Sequence, residues 1–289
     1  MALQTFWVQA YKSHKNSRTL KKKRSSQGYH LACALNDLPV ILYEHPFNER
    51  VRTYLRLEHL FRRFDVLQQR ADPIDHHFCF TTLFEIIEVG GRTDLKTDML
   101  KDLDRHKTQL SIYKTNPSVD QEVLSNVLTN IESCFDNLNA LGSRIAQLVS
   151  ENDFLSSLRN RISIPGGTCA FDLPVYHAWQ QKANTERQED IKRWTEPLSP
   201  LYKSVELLLG LMRDNGTPQK VMAPAGLFQQ NLPQGKFQLL RLYIDPALNL
   251  VPEISGNRMM VSIRLMKTGE MGNVQPCPID TSLELALCS

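Results

Sequence analysis

The chain has 289 residues, 42% of them hydrophobic and 22% charged, a balance ordinary for a soluble globular protein. That length can bury a real core in one or two domains. No apolar run approaches the roughly 18–20 residues that span a bilayer, and the longest candidate, near Val205–Met212, is broken by Glu206 and Gly210.

The first 36 residues carry Lys12, Lys15, Arg18, Lys21, Lys22, Lys23 and Arg24 and no acidic residue. Taking these seven from the 34 basic residues leaves 27 against 31 acidic, so the body is about −4 and the overall +3 belongs to the tail. A secretory signal fits poorly, because the apolar stretch at His30–Leu35 stops at Asn36-Asp37, short of the roughly 7–15 residues of such a segment. Residues 1–36 read as a disordered basic extension. The six cysteines form no C-x-x-C pair, which suits reduced thiols in the cytoplasm.

Val40–Tyr43 is a short apolar run ended by His45-Pro46, so it reads as a strand. Helical patterns follow, at Asn48–Gln69, from Pro73 to Gly90-Gly91, at Thr97–Tyr113 and at Ser118–Leu141. The last has Val119, Val123, Val127, Ile131 and Phe135 at four-residue steps. Next, Asn152 or Asp153 starts a helix that ends with Arg159 and Arg161. Pro165-Gly166-Gly167 breaks the chain, and Asp172 starts a second helix with Pro174 in its first turn. This block reads as a loop held between two helices with a basic lip. Thr185-Glu186-Arg187-Gln188 has the form of a capping box. Ser199-Pro200 opens the last long helix, and Asn215-Gly216 stops it.

Beyond residue 216 the period changes to two. Leu240, Leu242 and Ile244 share one strand face; Met259, Val261, Ile263 and Leu265 share another; Leu283, Leu285 and Leu287 share a third. This predicts a small antiparallel sheet covered on one side. The fold class is therefore α+β: a mainly helical domain at 37–216, which the strand near 40–44 leaves to join the sheet, and a β-strand domain at 217–289.

The first helix has a one-sign stripe. At about 100° per residue, with Arg52 at zero, Arg56 falls at about 40°, His59 at about −20° and Arg63 at about 20°. Tyr54, Leu57, Phe61 and Phe64 take the opposite, core-facing side. A solvated charged face is the ordinary reading of such a stripe, but ordinary faces mix signs and this one does not. In the sheet region Arg241 lies opposite Leu240 and Leu242, and Arg258, Ser262 and Arg264 form the polar face of a strand Arg258–Lys267. On adjacent strands these arginines, with Phe237, Tyr243, Met260 and Met266, would make a mixed basic and apolar patch suited to a short acidic peptide. The alternative is a face covered by helices, its arginines paired with Glu or Asp.

Chemistry of other kinds has little support. Asp75-His76-His77-Phe78-Cys79 puts His76 and Cys79 on one helical face but offers no second ligand pair for a metal. Pro165-Gly166-Gly167 lacks the Lys-Ser/Thr of a phosphate loop, and no nucleophile has an evident base. His177 follows the basic lip and is a candidate pocket residue. Binding, not catalysis, is the reading, with no cofactor or metal.

Four segments carry a resemblance. They are Tyr43–Glu58 (YEHPFNERVRTYLRLE), Leu100–Arg105 (LKDLDR), Asn152–Pro174, and Pro252–Gly256 (PEISG) with Ile263-Arg264-Leu265. Together, and in order from about Val40 to the C-terminus, they resemble the ZapD family of bacterial cell-division proteins. The resemblance implies a cytoplasmic, non-enzymatic homodimer at mid-cell that binds the C-terminal tail of the tubulin-like FtsZ and bundles its filaments in the Z ring. On that reading the tail-binding candidates are Arg52, Arg56, Arg63, Arg159, Arg161, His177, Arg241, Arg258, Arg264 and Lys267. No nucleic acid and no membrane insertion is expected. The family ordinarily begins near Val40, which makes residues 1–36 an addition, an upstream translation artefact being one account of it. The competing functions are a nucleic-acid-binding regulator that uses the extension and the arginine stripe, and an enzyme with a non-local site.

Overall fold

The computed structural model describes residues 40–289 except 142–143, 234–235, 258 and 270–271. The expectations for residues 1–36 and for Arg258 lie outside the described residues. The chain forms two compact units. Of the described residues, one comprises 40–52, Pro117–Asp120 and Gly210–Ser289; the other comprises Thr53–Asn116 and Gln121–Leu209.

The helical unit is built from α1 (Glu49–Gln68, entered from the other unit), α2 (Pro73–Gly90), α3 (Thr93–Ser111), α4 (Gln121–Ala140), α5 (Arg144–Ser150), α6 (Asp153–Ile162), α7 (Pro174–Gln180), α8 (Asn184–Thr195) and most of α9 (Ser199–Asp214). Several helices begin where a short polar side chain satisfies an orphan amide. Asn48 Oδ1 accepts from the Val51 N–H at 2.9 Å, Asp72 from Ile74 at 2.8 Å with Pro73 at the first helical position, and Asn152 from Leu155 at 3.0 Å. Four expected starts differ. α3 begins at Thr93, not Thr97, and α4 at Gln121, not Ser118. Asp172 does not cap α7, which begins at Pro174 with no side-chain cap, because the Asp172 carboxylate is held by Arg161 at 3.7 Å. Thr185 caps nothing: α8 already begins at Asn184, two residues before the start that a cap at Thr185 requires, and Thr185 lies inside its first turn.

The expected core face of α1 is the observed one, with Tyr54, Leu57, Phe61 and Phe64 buried. Along α4 the buried stripe is Leu124, Val127, Leu128, Ile131 and Leu138, with Phe135 only half-buried. A four-residue step advances about 400°, so a strict i, i+4 row drifts off the core while Leu124, Leu128 and Leu138 replace its ends. Tyr54 donates to Asp102 Oδ2 at 3.0 Å inside this core, and Arg105 pairs with the other oxygen at 3.1 Å.

The β unit holds two sheets, not the single one-sided sheet expected. The first is ordered β1-β4-β8-β2, where β1 is Ile41–Pro46, β2 Gln219–Ala223, β4 Leu239–Ile244 and β8 Thr281–Cys288. The second is ordered β3-β6-β5, with β3 at Leu227–Asn231, β5 at Leu250–Gly256 and β6 at Met260–Thr268; β7 (Val274–Pro276) pairs with the end of β6. All these pairs are antiparallel. Leu240, Leu242, Ile244, Leu283 and Leu285 from the first sheet share one core with Val261, Ile263 and Leu265 from the second. The alternating faces were read correctly, but they meet each other across a sandwich. Met259 precedes β6 and is 63% exposed. Pro252 sits on β5, which pairs only with β6 and is an edge where a missing N–H is tolerated. The other face of the first sheet is also covered, near Ala286 and Cys288, by the chain at Gly216, where a Cβ would clash with Cys288 Sγ.

Candidate functional site

The basic lip is a feature of the helical unit. Arg159 and Arg161 occupy the last turn of α6, where cations oppose the negative end of the helix. Beyond them the backbone closes a series of turns: Ile164 N–H to Arg161 O at 3.0 Å, Gly167 to Ile164 at 2.9 Å, Cys169 to Gly166 at 3.2 Å, and Leu173 to Cys169 at 3.0 Å. Both glycines are required. Gly166 has φ +70°, and a Cβ on Gly167 would lie 2.7 Å from Arg161 O. Asp172 ties the loop back by accepting from Cys169 Sγ at 3.4 Å and pairing with Arg161.

This loop presents Phe171 at 84% exposure, Val175 at 69% and Ile164 at 46%. Arg159 and His177 are exposed as well. Apolar anchors and cations thus stand on one short, hydrogen-bonded stretch of chain.

The lip rests on a rigid base. Tyr176 and Trp179 of α7 are buried, and their rings pack with Phe80, Phe154 and Trp194 at centroid distances from 5.2 to 6.4 Å. Tyr176 Oη lies 3.0 Å from His77 Nδ1. At the other end of α7, Arg187 is 5% exposed and faces no carboxylate among its hydrogen-bond partners. Its guanidinium donates to the carbonyls of Gln180 at 3.0 Å, Lys182 at 2.6 Å and Ala71, and to His76 Nδ1 at 3.1 Å. Burial first, and the Arg187 charge second, hold His76 below the ordinary histidine range, so it accepts as a neutral ring. Trp179 Nε1 and Lys182 Nζ both donate to Asp190 at 3.0 Å, and these bonds hold the carboxylate low despite its burial. Sequence reasoning saw Arg187 only as part of a capping box. Its three carbonyl partners have no side-chain signature.

His76 and Cys79 do share the buried face of α2, as their spacing indicates. Among the described residues no group of three or more His, Cys, Asp or Glu is placed to hold a metal, and burial pushes the Cys79 thiol well up. The described cysteines are all free thiols.

The α1 stripe is less uniform than its sequence. Arg52 pairs with Glu49 at 3.2 Å. Arg63 turns toward α2, donating to Thr82 Oγ1 at 2.9 Å and to Glu85, so it is anchored at the stripe's end. Arg56 and His59 are exposed.

The sheet arginines do not form one patch. Arg241 lies on β4 of the first sheet and Arg264 on β6 of the second, so they are not on adjacent strands. Arg241 Nε donates to Glu44 Oε1 at 3.1 Å, and Arg213 takes both oxygens of the same carboxylate at 2.8 and 2.6 Å. All three are largely buried, with side-chain exposures of 15–22%; here the paired alternative applies. Arg264 is exposed between its cross-strand neighbours Leu227 and Glu253. Lys267 is exposed on the strand's alternate face, so it does not join Arg264. The candidates in the helical unit are therefore Arg56, Arg63, Arg159, Arg161 and His177, and those in the β unit are Arg52, Arg241, Arg264 and Lys267.

The profile of the family described as "ZapD: Cell division protein" matches residues 55–264, which takes in the lip, its aromatic base, the strands β2 to β5 and the first half of β6. The chain belongs to the ZapD family. It is 45% identical over 253 residues to the cell division protein ZapD of Ralstonia nicotianae, covering 86% of this chain and all of that relative. It is 44% identical over 253 residues to ZapD of Ralstonia pickettii, with the same coverage. Among the described residues of this ZapD-family chain, no helix is long and apolar enough to cross a membrane.

Proposed function

We propose that this chain is a non-enzymatic cell-division protein that captures the C-terminal tail of FtsZ and cross-links its filaments as a symmetric dimer in the cytoplasm at mid-cell. Membership of a cell-division family gives the setting. The observation that carries the tail reading is the lip: Arg159, Arg161 and His177 stand beside an 84%-exposed Phe171 on a loop pinned to a buried aromatic base. Such a surface takes an acidic, extended peptide by charge, and fixes it with one or two apolar side chains. A flexible tail loses ordering entropy on capture, so each contact is weak. Two equivalent sites on a symmetric dimer convert weak capture into tethering of neighbouring filaments, and many tethers add by avidity. This needs no nucleotide, metal or cofactor on the side of the chain.

Co-sedimentation with FtsZ filaments, with and without the FtsZ C-terminal tail, tests the reading. Filaments that keep their tails should pellet the chain and scatter more light, and tailless filaments should do neither. Scattering should fall as ionic strength rises, because the Debye length shrinks from about 10 Å at 0.1 M to about 3 Å at 1 M. Equal pelleting with tailless filaments would overturn tail capture, and a monomer in sedimentation equilibrium would overturn the cross-linking mechanism.

A further inference from the structure

A cleft of about 500 Å³ lies within the helical unit, away from the lip residues, between α1, α8, α9 and the 3-10 turn Glu196–Leu198. Its apolar wall is Phe61, Phe64, Ile86 and Leu198, closed by the Tyr202 ring, which packs on Phe61 at a centroid distance of 4.8 Å. One carboxylate, Asp65, stands in this wall. Gln68 Nε2 donates to it at 3.0 Å and Tyr202 donates through its hydroxyl. Among the described residues no Lys, Arg or His lies within ion-pair distance of Asp65. Lys192 and Arg193 line the mouth, but Arg193 is engaged with Asp190, and Glu189 and Glu196 line the same mouth. Asp65 also feels the charge of Glu206, and burial raises it above the ordinary carboxylate range.

We propose that this cleft binds the side chain of a lysine or arginine presented by an extended segment of a partner protein. Three features select that occupant. A half-buried carboxylate without a counter-ion is unfavourable by itself and is relieved by a cation that brings its own hydrogen bonds. Three aromatic rings line the approach, and ring faces attract ammonium and guanidinium groups. The wall between mouth and carboxylate is apolar, matching the aliphatic stem of these side chains. An anionic ligand meets Asp65, and a purely apolar one leaves it unpaired. The cleft volume lies within the range of small-ligand pockets. This inference does not rest on the FtsZ-tail reading, and its test uses no FtsZ.

The probes are Nα-acetyl-lysine amide and Nα-acetyl-arginine amide, titrated into the full chain with isotope-labelled Ile and Leu methyl groups. Nα-acetyl-norleucine amide is the uncharged control, and spermidine is the free-polyamine control. The expected result is saturable shifts of the Ile86 and Leu198 methyl signals, with the basic probes binding about tenfold tighter than norleucine, a difference of about 1.4 kcal/mol. Asp65→Asn keeps the shape and should remove that preference. It should also raise the thermal midpoint by about 1–3 °C, since it deletes an unpaired carboxylate. Equal affinity for norleucine, an unchanged preference in Asp65→Asn, or shifts confined to other methyl groups would overturn the proposal. Spermidine binding without binding of the capped amino acids would overturn the peptide occupant. If Asp65→Asn fails to fold, the salt dependence of the wild-type chain decides. The lysine preference should shrink as salt rises from about 0.05 to 0.5 M, and a salt-independent preference would reject the carboxylate.

Discussion

The two units treat their charges in opposite ways. The β unit folds Glu44, Arg213 and Arg241 into a half-dry cluster, with one carboxylate serving two guanidiniums. The helical unit also buries an arginine, Arg187, but matches it to backbone carbonyls and a neutral histidine. It leaves Arg159, His177 and Arg56 exposed. A sheet places cross-strand neighbours a few ångströms apart, so Arg241 and its register partner Glu44 meet directly. A helix end projects its last-turn side chains past the backbone, where the dipole favours cations and solvent keeps them available. Under the proposed function it is the lip of the helical unit that meets an acidic partner, although Arg264 and Lys267 of the β unit are exposed as well.

The largest expected effect tests the two buried arrangements against each other. Arg187→Ala should lower the stability of the chain by about 3–5 kcal/mol, because it removes four hydrogen bonds and strands three carbonyls. Glu44→Gln should cost less, about 2–3 kcal/mol, because the amide keeps a hydrogen bond and both arginines retain some access to water. Urea unfolding of both variants measures the difference; the reverse order would mean that the sheet cluster is the stronger fastening.

A second pair decides which unit meets the peptide. Arg159→Glu at the lip should weaken binding of an FtsZ-tail peptide by about 2 kcal/mol, with Phe171→Ser costing about 1 kcal/mol. Both residues are exposed, so melting temperatures should move little, Arg159→Glu losing only the favourable charge at the end of α6. Arg264→Glu should weaken binding less than Arg159→Glu. Fluorescence anisotropy with a labelled tail peptide measures all three, and a larger loss at Arg264 would place capture on the second sheet.

The third comparison is with acid. Burial is the first cause holding His76 and His77 in the helical unit, and His45 in the β unit, below the ordinary histidine range. Their folded pKa is below the unfolded value of about 6.5, so the unfolded chain takes up protons first. Stability is therefore full above about pH 6.5 and falls as the pH drops through that value towards the folded pKa values. Thermal unfolding followed at pH 7.5 and about pH 5.5 should show the loss. His77→Gln should reduce it, and an unchanged slope in that variant would remove His77 from the account.

The smallest effect is expected from removing residues 1–36. The segment has seven positive charges and one small apolar cluster, Phe6-Trp7-Val8, to set against about 1–2 kcal/mol of ordering entropy per residue. Melting temperature and FtsZ co-sedimentation should be nearly unchanged. A large loss of either would make the extension part of the working protein, and gain of nucleic-acid binding by the full chain over the truncated one would support the regulatory alternative.

What could be read from the sequence was what is decided within a few residues. The helix starts at Asn48, Pro73 and Asn152, the core face of α1 and the inward faces of β4, β6 and β8 all rest on local hydrogen bonds or on a period of 3.6 or two. The α+β class and the family resemblance followed from such segments. The short strands β2, β3, β5 and β7 were not identified, since Pro252 and the polar run of β3 mask the alternation that marks a strand. Partner choice lay beyond any local reading. Glu44 meets Arg241 across 197 residues, Arg187 reaches His76 across 111, and Arg63 leaves its stripe for Glu85 on the next helix. The sequence by itself determined which side chains of α1, β4 and β8 face inward and where α1, α2, α6 and α9 begin, because these follow from backbone geometry. Only the tertiary structure decided which arginines are neutralised and which stay open, because that depends on which distant carboxylate or carbonyl folding brings within about 3 Å.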